Sequence, residues 1–482
     1  MTIPKEVKLV LKTLQDAGFE AYIVGGCVRD FLMEKKPYDW DVTTNAQPEA
    51  IQKLFEDSFY LNDFGTVTVK SDNEDVSLRQ IQVTTYRIDE SYTDKRHPDG
   101  VKFTKNLEED LARRDFTMNA VAMDADRKVI DPFGGAGDIE QRTIKAVDDP
   151  NKRFGEDALR VLRAVRFSTV LDFKIEPKTL EAIKTHAGSL RAISKERIRD
   201  ELVKIINSPR AMQGIELLRE TGLLEHIIPE LLEGYGVGQN KHHIYTVWEH
   251  NLRALKYAVD KNYDFNIRMG ALLHDVGKPR SKRGDGPDST FYAHEIIGGK
   301  MTFQIMTRLC FPKDVTDQVT HLVRYHLFYY NVGEVSEAGV RRFLSRVGPE
   351  NVDDLIKIRE ADRIGSGVPK AVPYKLRHLL FMIDKVKRDP ISAKMLKVNG
   401  QYVMKIAGIE PSPKVGQILA ILLEEVLDDP TRNEQDYLES RIKKLSKLSD
   451  EELVQMKQKA QATKEEFESG EEEEMKKKFY VK

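Results

Sequence analysis

Asp39 and Asp41 flank a single indole, Trp40, in the stretch "YIVGGCVRDFLMEKKPYDWDVTTNA" that spans positions 22 to 46. On a strand, side chains alternate between faces, so the two carboxylates share one side while Trp40 packs inside. Such a pair can hold divalent ions. Two magnesium ions sharing Asp39 and Asp41 would activate an attacking hydroxyl and stabilise a leaving pyrophosphate. Just upstream, "AYIV" has the composition of a buried strand. Gly25 and Gly26 allow a tight turn or close backbone approach, and "CVRDFL" opens a helix whose first N–H groups can receive a phosphate. Singly, the glycine pair reads as a turn and the aspartates as a solvated strand end. With Arg29 and Asp30 between them, they describe a phosphate cradle beside a metal pair.

Further along lie side chains that a nucleotide would need. In "RRDFTMNA", Arg113 and Arg114 can contact phosphates, and Asn119 is expected to position backbone. In "EDALR", Asp157 and Arg160 are three apart, so on a helix they share a face and present one acceptor beside one donor fork. Cytosine and adenine each offer an exocyclic amino group next to a ring nitrogen acceptor, whereas uracil and guanine reverse that pattern. The pair can therefore act as a protein template, although an ordinary surface ion pair has the same spacing. Arg163 and Arg166 continue the basic helix toward triphosphate or RNA backbone. "DPFGGAGDI" reads as a flexible glycine turn between two parts of the chain.

A second chemistry is written in the order His250, then His274 with Asp275 in "LLHDVGKP", then Asp362. Imidazoles and carboxylates brought together from separate helices can bind a transition ion and activate water for phosphoester hydrolysis. His294 and His326 could complete a two-metal site. His186, His226 and His378 are read as packed core residues.

The elements that must hold these groups divide unevenly along 482 residues, a length that suggests about three domains. Short β-rich runs mixed with helical segments fill 1–150, an α+β head; helical periodicity dominates the rest. Pro150 and Gly155 mark the first boundary, "EGYGVGQNKHH" the second and "GSGVP" the third. These give a helical segment at 151–232, a metal-ligand region at 233–365, a second helical segment at 366–450 and a charged extension at 451–482. The fold class is α+β. A net charge of −2 confines any nucleic-acid site to a local patch. The two cysteines, Cys27 and Cys310, form no metal spacing and suit a reducing cytoplasm. No apolar run approaches the roughly 20 residues that cross a bilayer, so a cytoplasmic protein without membrane association is expected.

The glycine pair, the aspartates, "RHPDGVKF", "LEEDLARRDFTMNA", "DPFGGAGDI" and "RFGEDALRVLRAVRF" together resemble the nucleotidyltransferase superfamily that includes DNA polymerase beta. More narrowly, they resemble bacterial CCA-adding tRNA nucleotidyltransferases and poly(A) polymerases. The resemblance covers about residues 20 to 225. It implies a polymerase-beta-like head with the magnesium carboxylates, a neck that selects the nucleotide, body and tail domains that hold tRNA, and CTP and ATP as substrates. It also implies that Asp115 accepts a hydrogen bond from a ribose hydroxyl. The segment "YRIDESYTDKRHPDGVKF" resembles the flexible loop of complete CCA-adding enzymes, with Lys95 and Arg96 as its basic residues. Gln82 departs from relatives that carry an acidic residue there, which leaves metal binding to Asp39 and Asp41. The His250, His274–Asp275, Asp362 series resembles the metal-dependent HD phosphohydrolases, with manganese, nickel, cobalt or iron as the candidate ion and cyclic phosphate or 2'-phosphate at RNA ends as candidate substrates.

Three functions compete. The first is complete CCA addition with an accessory HD hydrolase. The second is a poly(A) polymerase, or a partial enzyme adding only CC or only A. The third is an RNA-binding regulatory HD protein with an inactive head. Intact Asp39, Asp41, Asp157 and Arg160 favour the first two, and the loop segment favours the first. No protein partner is inferable from the sequence.

Overall fold

A computed structural model of the chain describes residues 2–60, 65–89, 100–240, 244–284, 286–328, 330–456 and 458. Lys95 and Arg96 lie outside the described residues. The fold is α+β, as expected: a sheet-bearing first part is followed by a mostly helical remainder. The chain forms two compact units. One comprises Met1–Tyr235, Val259–Met269 and Phe303–Thr316; the other comprises Gly236–Ala258, Gly270–Thr302 and Asp317–Lys482.

The first unit is built on a seven-stranded sheet with the spatial order Ser58–Tyr60, Thr66–Lys70, Gln80–Thr85, Trp40–Thr44, Ala21–Val24, Ala122–Met123, Val129–Ile130. Trp40–Thr44 runs parallel to Gln80–Thr85, and the other pairings are antiparallel. Period-two alternation divides the faces. Trp40, Val42, Val67, Val69, Ile81 and Val83 enter one core, covered by Val7, Val10, Leu11 and Leu14 of the helix Lys5–Asp16. Asp41, Gln82 and Thr68 stand in one register row, on strand positions that alternate with that apolar set.

Gly25 joins the strand Ala21–Val24 to the helix Gly26–Leu32 with φ 85° and ψ −138°, a conformation open essentially only to glycine. Gly26 is already helical, and a Cβ there would meet only the Arg29 guanidinium, at 3.7 and 4.0 Å. The two glycines of one pair therefore answer different demands.

Two local expectations are corrected. The "DPFGGAGDI" segment is a packed corner rather than a flexible turn. The Asp131 carboxylate accepts hydrogen bonds from the N–H groups of Gly135 (2.7 Å) and Ala136 (2.8 Å), and a Cβ on Gly135 would stand 2.0 Å from the Thr117 carbonyl oxygen. Glycine is needed there for close approach. Asp157 and Arg160 do not share a helix face either. The helix Pro150–Glu156 ends before Asp157, whose backbone is extended, and the Asp157 side chain accepts from the N–H of Leu159 as the helix Leu159–Leu171 begins. A short acidic side chain that bonds to the backbone competes with helix continuation.

In the second unit, the helices Val247–Asp260, His294–Arg308 and Val352–Gly365 carry His250, His294 and Asp362. His274 and His326 directly follow the helices Phe265–Leu273 and Lys313–Tyr325. Buried Arg341 ties this unit's later helices together, donating to the Leu427 and Asp428 carbonyls and to Asp389. The tail has its own apolar cluster, from Leu396 to Leu453. Among the described residues no helix is long and apolar enough to cross a membrane.

The contrast between Gly25 and Gly26 is testable by thermal melting. Gly25→Ala should lose about 1–3 kcal/mol from backbone strain. It also pushes a methyl group against Arg114 Nη1, 2.9 Å away. Gly26→Ala should be neutral within about 0.5 kcal/mol or slightly stabilising. Equal losses at both positions would contradict this account of the turn.

Candidate functional site

Asp41 lies on its strand with Asp39 in the bend just before it, and Trp40 between them is only 3% exposed. Burial, then repulsion from Asp39, raises the pKa of Asp41 to about 6, with Arg114 acting in the opposite direction. A pair of hard oxygen donors whose mutual repulsion Arg114 does not cancel is a fitting place for a divalent cation such as magnesium. Gln82, beside Asp41 in the strand register, is exposed and adds an amide rather than a third carboxylate.

Next to Asp41 opens a cavity of about 330 Å³. Its wall includes Gly25, Gly26, Asp115, Asn119, Asp157 and six arginines: Arg29, Arg113, Arg114, Arg160, Arg163 and Arg197. Six guanidinium groups against the three carboxylates of Asp41, Asp115 and Asp157 leave an excess of positive charge, the complement of a triphosphate.

The arginines are held by a polar framework. Asp110, fully buried, accepts from Thr43 Oγ1 at 3.2 Å and from the Arg87 N–H at 3.3 Å, and pairs with Arg113 at 2.9 Å and Arg114 at 3.7 Å. Arg29 Nη1 donates to Asn119 Oδ1 at 3.0 Å, and Asn119 Nδ2 donates to Asp115 Oδ1 at 3.1 Å. Asn119 thus positions side chains, where backbone positioning was expected. Asp115 also accepts from its neighbour's N–H and from Arg163 at 2.7 Å. Burial opposes its charge, but Arg163 and Asn119 hold its pKa down to about 2.

Asp157 and Arg160 meet on the cavity wall although no helix face joins them. Arg197 donates to Asp157 Oδ2 at 3.2 Å. Arg160 donates to the carbonyls of Arg153 and Arg113 and to Glu156. Arg166, expected at phosphate, does not line the cavity. It pairs with buried Glu201 at 2.8 Å and lies 3.5 Å over the ring of Phe167.

All six expected metal ligands of the second unit come together. The Asp275 Oδ2 atom is 3.0 Å from His250 Nε2 and 3.4 Å from His274 Nε2; its Oδ1 atom is 3.3 Å from His294 Nε2 and 3.7 Å from His326 Nε2. Asp362 Oδ1 approaches His250 at 3.4 Å and His274 at 3.8 Å. Two ligand groups thus share Asp275. The Nδ1 atoms of His274, His294 and His326 each lie 2.7–2.8 Å from the carbonyl three residues earlier, which directs each Nε2 inward. Buried imidazole and carboxylate donors of this kind fit a transition metal.

Glycines allow the approach of these elements. A Cβ at Gly365 would stand 2.9 Å from the His250 carbonyl oxygen, and one at Gly277 would stand 2.2 Å from that of His294. Burial opposes charge on His274, but Asp275 and Asp362 raise its pKa to about 10; burial, with His274 and His294 nearby, lowers that of His326 to about 3.

His186, His226 and His378 are half-buried at the periphery rather than in a core. They lie beside Phe154, Arg191 and Tyr330 respectively. Sequence reasoning missed Asp110, Phe167, Arg197 and Lys278. Asp110 stands three and four residues before Arg113 and Arg114, and Lys278 three after Asp275, 2.5 Å from its carboxylate. Helical spacing pointed to both. No local signal marks Phe167 or Arg197.

Known proteins resemble this chain in both of its units. Residues 21–145 match the model of the poly A polymerase head domain, 172–234 that of the probable RNA- and SrmB-binding site of polymerase A, and 247–365 that of the HD domain. A Lactobacillus helveticus CCA-adding enzyme is 48% identical over 45% of this chain, a stretch that spans about half of that relative (54%). A Deinococcus radiodurans A-adding tRNA nucleotidyltransferase is 34% identical over 84% of this chain and 91% of its own length. Among solved structures, the Bacillus stearothermophilus CCA-adding enzyme in complex with CTP is 28% identical, with a TM-score of 0.67 over 91% of this chain and 96% of that one.

The raised pKa of Asp41 has a stability consequence. With a folded pKa near 6 against an unfolded value of about 3.9, the folded chain holds the extra proton between those values. Stability of the metal-free protein should therefore fall as pH rises through that window. Asp41→Asn should gain on wild type by about 2 kcal/mol between pH 4 and pH 6.5 and no further above it. Parallel pH profiles of the two proteins in denaturant would contradict the assignment.

Proposed function

Because the chain belongs to the family of CCA-adding and A-adding tRNA nucleotidyltransferases with a poly A polymerase head domain, we propose that it adds CCA to the 3' end of tRNA from CTP and ATP. The observation that carries the proposal is the arginine-lined cavity beside the Asp39–Asp41 pair.

In the reaction, the 3'-hydroxyl of the tRNA attacks the α-phosphorus of the incoming nucleotide. A phosphodiester bond forms, the bond to pyrophosphate breaks, and the hydroxyl proton leaves to solvent. Asp39 and Asp41 would hold magnesium, which would supply positive charge to the reacting oxygens. The chain's own part is positioning and charge. Arg29, Arg113, Arg114 and Arg163 bind the triphosphate and stabilise the leaving pyrophosphate. Asp157 and Arg160 read the base: the carboxylate accepts from the exocyclic amino group of cytosine or adenine, and the guanidinium donates to the adjacent ring nitrogen. Arg197 orients Asp157 for this task, and both template residues keep free hydrogen-bonding capacity beyond their present partners. Asp115 can accept a ribose hydroxyl once Arg163 shifts part of its contact to phosphate.

Complete CCA addition is preferred to partial addition on the loop motif around Lys95 and Arg96 and on the likeness to CCA-adding enzymes. The A-adding relative supports the alternative. An inactive head in a regulatory HD protein is disfavoured by the intact carboxylates and the excess of arginine. A second activity, metal-dependent phosphohydrolysis at RNA ends, is supported by the six converging ligands His250, His274, Asp275, His294, His326 and Asp362. Manganese, nickel, cobalt or iron suits those donors.

Crossed variants test both readings. Asp39→Ala or Asp41→Ala should lower nucleotide addition at least about 1,000-fold, leaving tRNA affinity within about two-fold because basic contacts dominate it. His274→Ala should abolish transition-metal-dependent hydrolysis of RNA terminal cyclic or 2'-phosphate and leave addition within about two-fold. Near-normal addition by either aspartate variant refutes the polymerase assignment, and a wild type that cleaves neither phosphate refutes the hydrolase.

A further inference from the structure

Phe167, on the helix Leu159–Leu171, is 4% exposed, and its ring forms part of the cavity wall. Three guanidinium groups gather around it: Arg166 at 3.5 Å from the ring centroid, Arg29 at 5.3 Å and Arg163 at 5.5 Å. The edge of Phe116 closes another side, 5.8 Å away and nearly perpendicular. Three like charges in so small a volume repel one another. Each has a carboxylate partner, Arg166 with Glu201, Arg163 with Asp115 and Arg29 with Asp30. Besides those ion pairs, what the three have in common is the negative face of one aromatic ring.

Only Arg29 and Arg163 of the three reach the cavity. Arg29 comes from the head helix Gly26–Leu32 and Arg163 from the neck helix Leu159–Leu171. Between them run the hydrogen bonds from Arg29 to Asn119, from Asn119 to Asp115 and from Arg163 to Asp115. Phe167 completes a closed circuit from head to neck and back. A leucine would fill much of the same space but would present no π face, leaving Arg29 to Asp30 and Asn119 and Arg163 to Asp115 alone.

We infer that Phe167 is a positioning residue for nucleotide binding, acting through Arg29 and Arg163 rather than by touching the base. The inference rests on the nucleotidyl-transfer reading of the cavity. Because the triphosphate is common to CTP and ATP, loss of the ring should weaken both nucleotides in the same proportion.

The test is calorimetric binding of CTP and of ATP, with magnesium, to the full chain carrying Phe167→Leu, Phe167→Tyr or mono-, di- and trifluorinated phenylalanine at position 167. Fluorination keeps the ring's shape while progressively removing its negative face. Phe167→Leu should raise both dissociation constants by roughly five- to thirty-fold, about 1–2 kcal/mol. Phe167→Tyr should remain near wild type, and log Kd should rise steadily with fluorine number while melting temperature and tRNA affinity stay constant. Fluorinated chains that bind like wild type would reduce the ring to a space-filler and overturn the inference. So would a change confined to one nucleotide, which would mean that the ring stacks on a base. Wild-type protein that binds both nucleotides but never extends tRNA would sink the proposed activity and leave this inference standing; wild type that binds neither would sink both.

Discussion

One carboxylate without access to water, that of Asp110, sets the geometry on which the nucleotide site depends. It accepts from Thr43, two residues beyond Asp41 on the same strand, and from the Arg87 backbone, and it pairs with both Arg113 and Arg114. Arg114 in turn fills the space left free by the missing side chain of Gly25. The strand that carries Asp41, the glycine turn and two cavity arginines are thus referenced to one buried group. Removing one partner of such a pair costs about 3–5 kcal/mol, because the remaining charge stays buried and unpaired. Burial works against the charge of Asp110, but the two arginines hold its pKa below the ordinary carboxylate range.

The same logic operates differently in the second unit. There the charged group at the centre, Asp275, is itself a candidate ligand, shared between two sets of imidazoles. Orientation comes from backbone carbonyls three residues before each of three histidines, and close approach comes from Gly277 and Gly365. The candidate nucleotide site of the first unit is an arginine-rich cavity that offers charge to a large anion. The HD cluster is buried and donor-rich, which suits a small cation more than a nucleotide.

Short-range pattern made part of this legible. The alternation around Trp40 put Asp41 on a strand with the indole buried beside it, although Asp39 stands in the bend just before, and residue type in the ordered series from His250 to Asp362 pointed to six side chains that the fold gathers in one cluster. Errors arose where local grammar allowed two outcomes. The three-residue spacing of Asp157 and Arg160 suggested one helix, but aspartate preferred to bond to the Leu159 N–H and stopped it. The glycines of "DPFGGAGDI" suggested mobility, whereas Gly135 exists to admit the Thr117 carbonyl. What sequence could not yield is partnership across distance. Arg160 donates to a carbonyl 47 residues earlier and Arg163 to a carboxylate 48 residues earlier, so the fate of each arginine is decided by the fold. Arg166 looks the same as Arg163 in sequence, yet it is withdrawn from the cavity by Glu201.

On the proposed function, the cavity chooses nucleotides with protein side chains and needs no nucleic-acid template. The most direct measurement is to incubate wild-type protein and magnesium with a tRNA lacking CCA in an equimolar mixture of CTP, ATP, UTP and GTP, and to sequence the 3' ends. The account predicts ends of CCA and no further extension, with UTP and GTP absent from the products. A homopolymeric A tail of mixed length, adenosine added only to tRNA that already ends in CC, or uridine and guanosine at frequencies like those of cytidine and adenosine would contradict it.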